Sequence, residues 1–417
     1  MAYNFNPVIS INTEFPAIRP VHPFPARMAP SIFRQRLSVQ KRPMCVLDPM
    51  AGSGTTVVAA RLHGHQAIGF DTDPLALLIA RTWSSDIDPE HLRAQAIQVI
   101  SEATGRYHDL SPIDAYPSNA DGETRAFIRF WFDRTNRRQL TALSGAISQV
   151  NDSTVRTFLW CALSRLIITK QAGASLAIDV SHSRPHKVFK IAPIKPLRQF
   201  LHAVDAVLRR SPFSAQEHFP RATVQRADAR KLPLGNESVD LVITSPPYLN
   251  AIDYLRGHKL SLVWMGHKIE EIRNLRSGNI GAERSSQFAL DDEHVRFALK
   301  EMGDTGQLPE RSRGMLARYV YDMNAVLSEV SRVLRQRAEA VLVVGDSTIR
   351  GTFVRNSRAL IYLGRANGLT LRSARRRSLV ENRRYLPPPG KKMSGEQLRA
   401  RMKEEVILIF RKTRRCV

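Results

Sequence analysis

The chain has 417 residues, with 43% hydrophobic and 24% charged, enough for a sizeable core in two or three domains or in one domain with large insertions. The 62 Lys and Arg against 38 Asp and Glu leave a net charge of +24, and a field of that sign favours polyanions, with nucleic acid as the leading partner. Cys45, Cys161 and Cys416 lie far apart without CxxC spacing, and no apolar run approaches ~18 residues, so neither a disulfide framework, a zinc site nor a membrane span is indicated.

Residues 1–21 read as an irregular arm. His22-Pro23-Phe24-Pro25-Ala26-Arg27-Met28-Ala29-Pro30 then leads into a predicted helix from Ser31 to about Val39, its start stiffened by the prolines. Met44–Leu47 has strand character, Asp48-Pro49-Met50-Ala51-Gly52-Ser53-Gly54-Thr55-Thr56 follows, and Val57–Leu62 has helical spacing. A second strand, Gln66–Phe70, ends in Asp71-Thr72-Asp73-Pro74. An acid at a strand end about 20 residues beyond a glycine loop is the layout of a doubly wound nucleoside-binding unit. The glycines let backbone approach a ligand, and Asp71 can hold two ribose hydroxyls. A P-loop would need Lys after Gly54, where Thr55 stands, and a dinucleotide loop would need glycine at Val57. Asp48 would repel a pyrophosphate and suits a cationic or amine-bearing ligand. The plainer alternative is a glycine turn that serves only helix–strand packing.

Residues 85–215 change character. Pro89–Ile100, Arg125–Phe132, Arg138–Val150 and Thr154–Ile168 carry i, i+3, i+4 apolar spacing, which predicts a mainly helical insertion. Phe127, Phe130, Trp131 and Phe132 are expected in its core. The polar segment Asp179–Lys187, with Arg184 and Lys187, reads either as a phosphate-contacting loop or as a solvated one. Metal binding is not expected there, since Pro185 separates its two histidines.

The α/β pattern then resumes. Thr223–Ala227 is a predicted strand ending in Asp228-Ala229-Arg230, and Asp240–Thr244 is the next, ending in Ser245-Pro246-Pro247-Tyr248. Proline fixes φ and lacks an N–H, and it pushes the preceding residue toward extended geometry, so the chain stops pairing here. The Ser245 hydroxyl and nearby carbonyls can then face one point, with the Tyr248 ring beside them. Acceptors next to a flat apolar surface suit a planar group bearing an NH2, such as a nucleobase; a strand closed by a tight proline turn is the alternative. Asp253–Met265 is a predicted helix carrying Arg256, His258 and Lys259, and residues 267–313 read as a polar, mobile excursion. Arg318–Leu334 and Arg358–Asn367 are predicted helices, and Ala340–Val344 and Glu405–Phe410 are predicted strands. Residues 351–417 hold 18 Lys and Arg against 4 Asp and Glu. The clusters include Arg375-Arg376-Arg377 and Arg383-Arg384, with Tyr385 interleaved, as a phosphate-tracking surface would have.

Together, His22-Pro-Phe-Pro-Ala-Arg, Asp48-Pro-Met-Ala-Gly-Ser-Gly-Thr-Thr, Asp71 and Thr244-Ser-Pro-Pro-Tyr-Leu-Asn-Ala-Ile-Asp-Tyr resemble the amino-group DNA methyltransferases. That family uses S-adenosyl-L-methionine and modifies the N4 amine of cytosine or the N6 amine of adenine. The resemblance covers roughly residues 20–84 and 220–417 and leaves the insertion unexplained. In the family, members with this glycine-loop wording often carry Pro-Pro-Tyr first in the chain, whereas here it comes second.

The resemblance implies a mostly parallel, doubly wound seven-stranded α/β sheet. Residues 1–84 would form the arm and cofactor half and 216–417 the catalytic half with the basic C-terminal segment, while 85–215, outside the resemblance, is the mainly helical insertion and a candidate DNA-recognition region. The loop Asp48, Pro49, Ala51, Gly52, Ser53, Gly54 and Thr55 would cradle the methionine part of the cofactor, with Asp48 near its ammonium. Asp71 would take the ribose hydroxyls and Asp228 the adenine amine. Asp73 and Thr244 would join the cofactor site, and the segment containing Pro25 would close over it.

Ser245, Pro246, Pro247 and Tyr248 would form the catalytic pocket, with Ser at its head going mostly with cytosine N4. Ser245 Oγ and the Pro246 carbonyl would accept from the target amine and Tyr248 would stack on the flipped base, for a direct displacement without a strong base. Arg184, Lys187, Arg256, Lys259, Arg383 and Arg384 would contact double-stranded DNA. The implied setting is restriction-modification or defence, with cognate partner proteins, in a prokaryotic cytoplasm near the nucleoid. Adenine N6, an RNA amine, or a catalytically silent nucleic-acid-binding protein are the competing readings.

Overall fold

A computed structural model of the protein describes residues 18–24, 28, 30–38, 42–113, 115–167, 169–179, 185–213, 219–249, 254–281, 292–379 and 404–413. Among these, the centre is a seven-stranded sheet of β1 (Cys45–Asp48), β2 (Gln66–Asp71), β3 (Ala222–Arg226), β4 (Val239–Thr244), β5 (Leu334–Val344), β6 (Leu369–Ser378) and β7 (Glu404–Lys412). The spatial order is β3-β2-β1-β4-β5-β7-β6. Strands β1 to β5 run parallel, and β7 lies antiparallel between β5 and β6. This is the mostly parallel, doubly wound sheet that the sequence predicts. Its order reverses between β1 and β4, and such a switch point opens a crevice at the carboxyl ends of the strands.

Apolar residues alternate between the two faces of the sheet. Val46, Leu241, Ile243, Val341 and Val343 pack on α1 (Pro30–Leu37), α2 (Thr55–Leu62) and α3 (Pro74–Ser84) through Phe33, Val57 and Ala80. Leu47, Val242, Leu342 and Val344 face the other way. They pack with Val320, Met323 and Leu360, which lie on two helices, Glu310–Val333 and Asn356–Ala366. Cover on both faces explains the nearly unbroken apolar run of β4.

The insertion comprises α4 (Pro89–Asp109), α5 (Gly122–Trp131), α6 (Arg134–Ser148), α7 (Ser153–Ile167) and α8 (Pro196–Leu208). It shares one core with Ile79 and Trp83 of α3 and with Leu255 and Leu260 of α9 (Leu255–Leu262). The predicted insertion helices are all present. Among the described residues no helix is long and apolar enough to cross a membrane.

Four expectations need correction. Helix α8 was not predicted, although Pro196 stands at its first turn and Phe200, Val204 and Val207 form its buried stripe. The excursion at 267–313 contains two further helices, α10 (Ile269–Gly278), anchored by buried Ile272, and α11 (Glu293–Glu301), anchored by buried Val295 and Ala298. The Arg375–Arg377 cluster, where no strand was predicted, lies in β6, an edge strand, and charged side chains suit a sheet edge. Finally, Phe130 is 54% exposed, whereas Phe132 is buried against Trp264 at a ring separation of 5.0 Å. Phe130 and Phe132 are two residues apart, and α5 ends at Trp131, so the two rings leave in different directions.

Candidate active site at the carboxyl edge of the sheet

The glycine loop and the Ser-Pro-Pro-Tyr turn meet at the switch point. Asp48 closes β1 and Thr244 closes β4, and Thr244 Oγ1 donates to Asp48 Oδ1 at 2.7 Å. Both residues are buried. Burial pushes the Asp48 carboxyl up from 3.8 to about 6, against the pull of neutral donors on Thr56, Thr244 and the Met50 amide. The loop then turns sharply. Ala51 N donates to Phe70 O at 2.8 Å, Gly52 and Gly54 take φ of +50° and +86°, and Pro49 and Ser53 are buried along the turn. Gly54 caps α2, whose first residue is Thr55. A Cβ at Gly54 would lie 2.8 Å from Ala80 Cβ and 2.9 Å from Ala80 Cα, so α2 and α3 approach as closely as they do only because residue 54 is glycine.

Asp71, at the end of β2, ties the loop to the neighbouring strand. Its Oδ2 accepts from Gly52 N at 2.8 Å and its Oδ1 from Asp73 N at 2.9 Å. Burial, and then the charge of Asp73, push it up from 3.8 to about 6. Asp73 itself is committed elsewhere. Its Oδ1 caps α3 by accepting from Leu75 N at 2.9 Å and Ala76 N at 3.4 Å, and its Oδ2 lies 2.5 Å from His258 Nδ1 on α9. Burial alone would raise the Asp73 carboxyl, but the charge and hydrogen bond of His258 outweigh it and hold the group below its ordinary value.

Over this loop lies the His22–Phe24 segment. His22 Nε2 is 3.0 Å from Ser164 Oγ, which in turn donates to Ser261 Oγ at 2.9 Å. The Phe24 ring stands 5.4 Å from Tyr254 and 5.5 Å from His258, and a Cβ on Gly52 would come within 3.5 Å of it. Pro25 lies outside the described residues.

At the turn, Ser245 Oγ donates to Val343 O of β5 at 3.1 Å and stands 3.4 Å from the Tyr248 hydroxyl. A hydroxyl has one hydrogen and two acceptor lone pairs. With its hydrogen turned to Val343, Ser245 presents an acceptor outward. The Tyr248 hydroxyl donates to Glu405 Oε1 at 3.0 Å. Pro246 is buried, while Ser245, Pro247 and Tyr248 are half-buried.

The remaining predicted residues lie apart from this cluster or outside the described residues. Asp228, beyond β3, has both carboxylate oxygens on Arg230, with Oδ2 accepting from Nη2 at 2.6 Å. Burial would raise its carboxyl, but these bonds hold it below its ordinary range. Lys187 and Lys259 converge instead on α5, their Nζ atoms 4.7 Å from the Phe130 ring and 5.1 Å from the Phe127 ring. Arg256 lies on α9, half-buried. Arg184, Arg383 and Arg384 lie outside the described residues. Sequence reading missed Glu405, Arg377 and the tie of His258 to Asp73. Local sequence does not give their partners, because each contact joins residues far apart in the chain.

No protein-family model matches the chain. It is similar to the type II methyltransferase M.MvaI of Kocuria varians, 23% identical over 362 residues that cover 79% of this chain and 77% of that protein. It is also similar to the type II methyltransferase M.BsoBI of Geobacillus stearothermophilus, 24% identical over 331 residues that cover 70% of this chain and 60% of that protein, so it spans less than two thirds of the latter's length. Among solved structures it is similar to a SAM-dependent methyltransferase of Methanosarcina mazei, at 9% identity, 93% of this chain, 99% of that chain and a TM-score of 0.35.

Proposed function

We propose that the protein is an S-adenosylmethionine-dependent DNA methyltransferase that methylates the exocyclic N4 amine of cytosine. The observation that carries this reading is the 2.7 Å bond from Thr244 to Asp48, which joins a nucleoside-type loop and an amine-accepting turn into one site. The similarity to two type II methyltransferases supports it.

The residues present fit the cofactor. Asp48 is a buried carboxyl raised to about 6 and surrounded by neutral donors, and a ligand ammonium would relieve its burial cost. The positive-φ glycines 52 and 54 leave backbone where side chains would otherwise stand. Asp48 and the loop to Thr55 would hold the methionine part, Asp71 the ribose and Asp228 the adenine amine, with Phe24 closing the loop side. When bound, S-adenosylmethionine supplies an electrophilic methyl group.

The task of the protein is to hold the amine. The nitrogen of a cytosine NH2 is a poor nucleophile because its lone pair is delocalised into the ring. Acceptors on both of its N–H bonds, here Ser245 Oγ and the Pro246 carbonyl, favour a pyramidal nitrogen with a localised pair. Tyr248 would stack on the flipped base. Because the amine loses its proton only after it gains the methyl group, a neutral serine suffices and much of the rate comes from positioning. Ser245, where adenine-directed members of the resembling family mostly carry Asp or Asn, supports cytosine. The insertion, with Lys187 over an exposed Phe130, is the proposed DNA-reading region.

The test uses methyl-labelled S-adenosylmethionine and whole-genome-amplified DNA, which carries no methylated cytosine or adenine, followed by nucleoside mass spectrometry. The expected product is N4-methylcytosine. Ser245→Ala should abolish it while cofactor binding persists. N6-methyladenine would transfer the reading to adenine, and transfer to RNA alone would reject DNA as the substrate.

A further inference from the structure

One contact to the Ser-Pro-Pro-Tyr turn comes from the far side of the sheet. Glu405 is the second residue of β7, and β7 runs antiparallel to β5, so its amino end lies at the carboxyl edge where the turn sits. Its Oε1 accepts from the Tyr248 hydroxyl at 3.0 Å and its Oε2 from Arg377 Nη2 at 2.6 Å. Arg377 is its direct partner in the β6–β7 register. Glu405 is 7% exposed in a strand that continues Val406-Ile407-Leu408-Ile409-Phe410. A buried acid is not what the sheet requires there. An apolar residue would complete the strand without desolvating a charge, and such replacements of buried ion pairs are often neutral or stabilising.

We propose that Glu405, held by Arg377, is a positioning residue for Tyr248, and through it for the amine-accepting Ser245. This rests on the methyltransferase reading above. The phenol oxygen lies on the long axis of the ring, so anchoring it fixes where that axis points and leaves the plane to the neighbouring side chains. Glu405 takes the hydrogen of the Tyr248 hydroxyl. The phenol oxygen, 3.4 Å from Ser245 Oγ, therefore has no hydrogen to offer the serine, and the outward lone pair of Ser245 stays open to the target amine. The four strand ends β4, β5, β7 and β6 thus act in series: Ser245 on Val343, Tyr248 on Glu405, Glu405 on Arg377.

A double-mutant cycle on the full chain tests this, with the labelled-DNA assay, cofactor affinity by calorimetry and turnover expressed per cofactor-binding site. Tyr248→Phe and Glu405→Val remove the same hydrogen bond, so each should lower kcat about tenfold with cofactor Kd unchanged. The double variant should be no slower than Tyr248→Phe alone. Glu405→Gln, which keeps an acceptor for the hydroxyl, should recover part of the loss. A role confined to β6–β7 stability would lower the melting temperature and the number of active sites but not the turnover per site. Additive losses overturn the proposal, as does wild-type kcat in Tyr248→Phe, a result that stands even if Glu405→Val does not fold. Absence of transfer by the wild-type protein overturns the methyltransferase reading and this inference with it, whereas an active wild type with additive variants overturns this inference alone.

Discussion

With Asp48 and Asp71 in the roles proposed above, their raised carboxyls predict a cofactor affinity that falls as pH falls. Each is lifted from 3.8 to about 6, by burial and, at Asp71, also by the charge of Asp73, a cost of about 3 kcal/mol per group once both states are ionised. In the ligand-free protein these two groups therefore favour folding most below pH 3.8, and their contribution falls as pH rises through about 6. Ligand binding should run the other way. An ammonium on Asp48 and ribose hydroxyls on Asp71 require carboxylates, so binding below pH 6 must expel protons. Between pH 7 and pH 5 each group should weaken the apparent affinity about tenfold, and both together about 100-fold. The range stops near pH 7 because an α-amino group of the ligand titrates at about 8. Calorimetry with S-adenosylmethionine in two buffers of different ionisation enthalpy would read both the affinity and the protons released. Asp48→Asn should remove its share of each. Equal affinity at pH 5 and pH 7, with no proton release, would refute the assignment of these carboxyls to the ligand.

Two further outcomes follow from packing. Gly54→Ala forces an L residue to φ +86° with its Cβ 2.8 Å from Ala80 Cβ, and since Ala80 Cα is almost as near, no flexible side chain can give way. The expected loss is about 2–4 kcal/mol, read from the urea midpoint, and a change under about 0.5 kcal/mol would contradict the packing argument. His258→Ala strips the hydrogen-bond partner from buried Asp73, for a loss of about 1–3 kcal/mol. Because the Asp73 carboxyl is depressed, its contribution is present above the ordinary carboxylate range and vanishes as pH falls below it. The melting-temperature gap between wild type and His258→Ala should therefore close in acid, and a gap that widens there would reverse the sign.

What the chain reveals directly is what depends on consecutive residues. The loop from Asp48 to Thr55 and the turn from Ser245 to Tyr248 were legible because glycine and proline constrain backbone locally, whatever surrounds them. Strand character was legible in β1, β2 and β4 because each is buried on both faces. Strand β6, Leu-Thr-Leu-Arg-Ser-Ala-Arg-Arg-Arg-Ser, carried no such signal, because an edge strand accommodates charge at almost every position.

The links that turn motifs into a site depend instead on lateral strand order. Thr244 reaches Asp48 across 196 residues, His258 reaches Asp73 across 185, and Tyr248 reaches Glu405 across 157. Each exists only because β4 lies beside β1, α9 beside α3, and β7 beside β5. Knowing every strand leaves their order open, so no reading of residue 405 in its own neighbourhood can connect it to Tyr248. The one visible anomaly was the pair Glu404-Glu405 ahead of the apolar run Val406–Phe410, which does not say that Glu405 is the buried acid. Such an anomaly in an α/β chain points to the carboxyl edge when the strand runs antiparallel, since the start of that strand then lies where its parallel neighbours end.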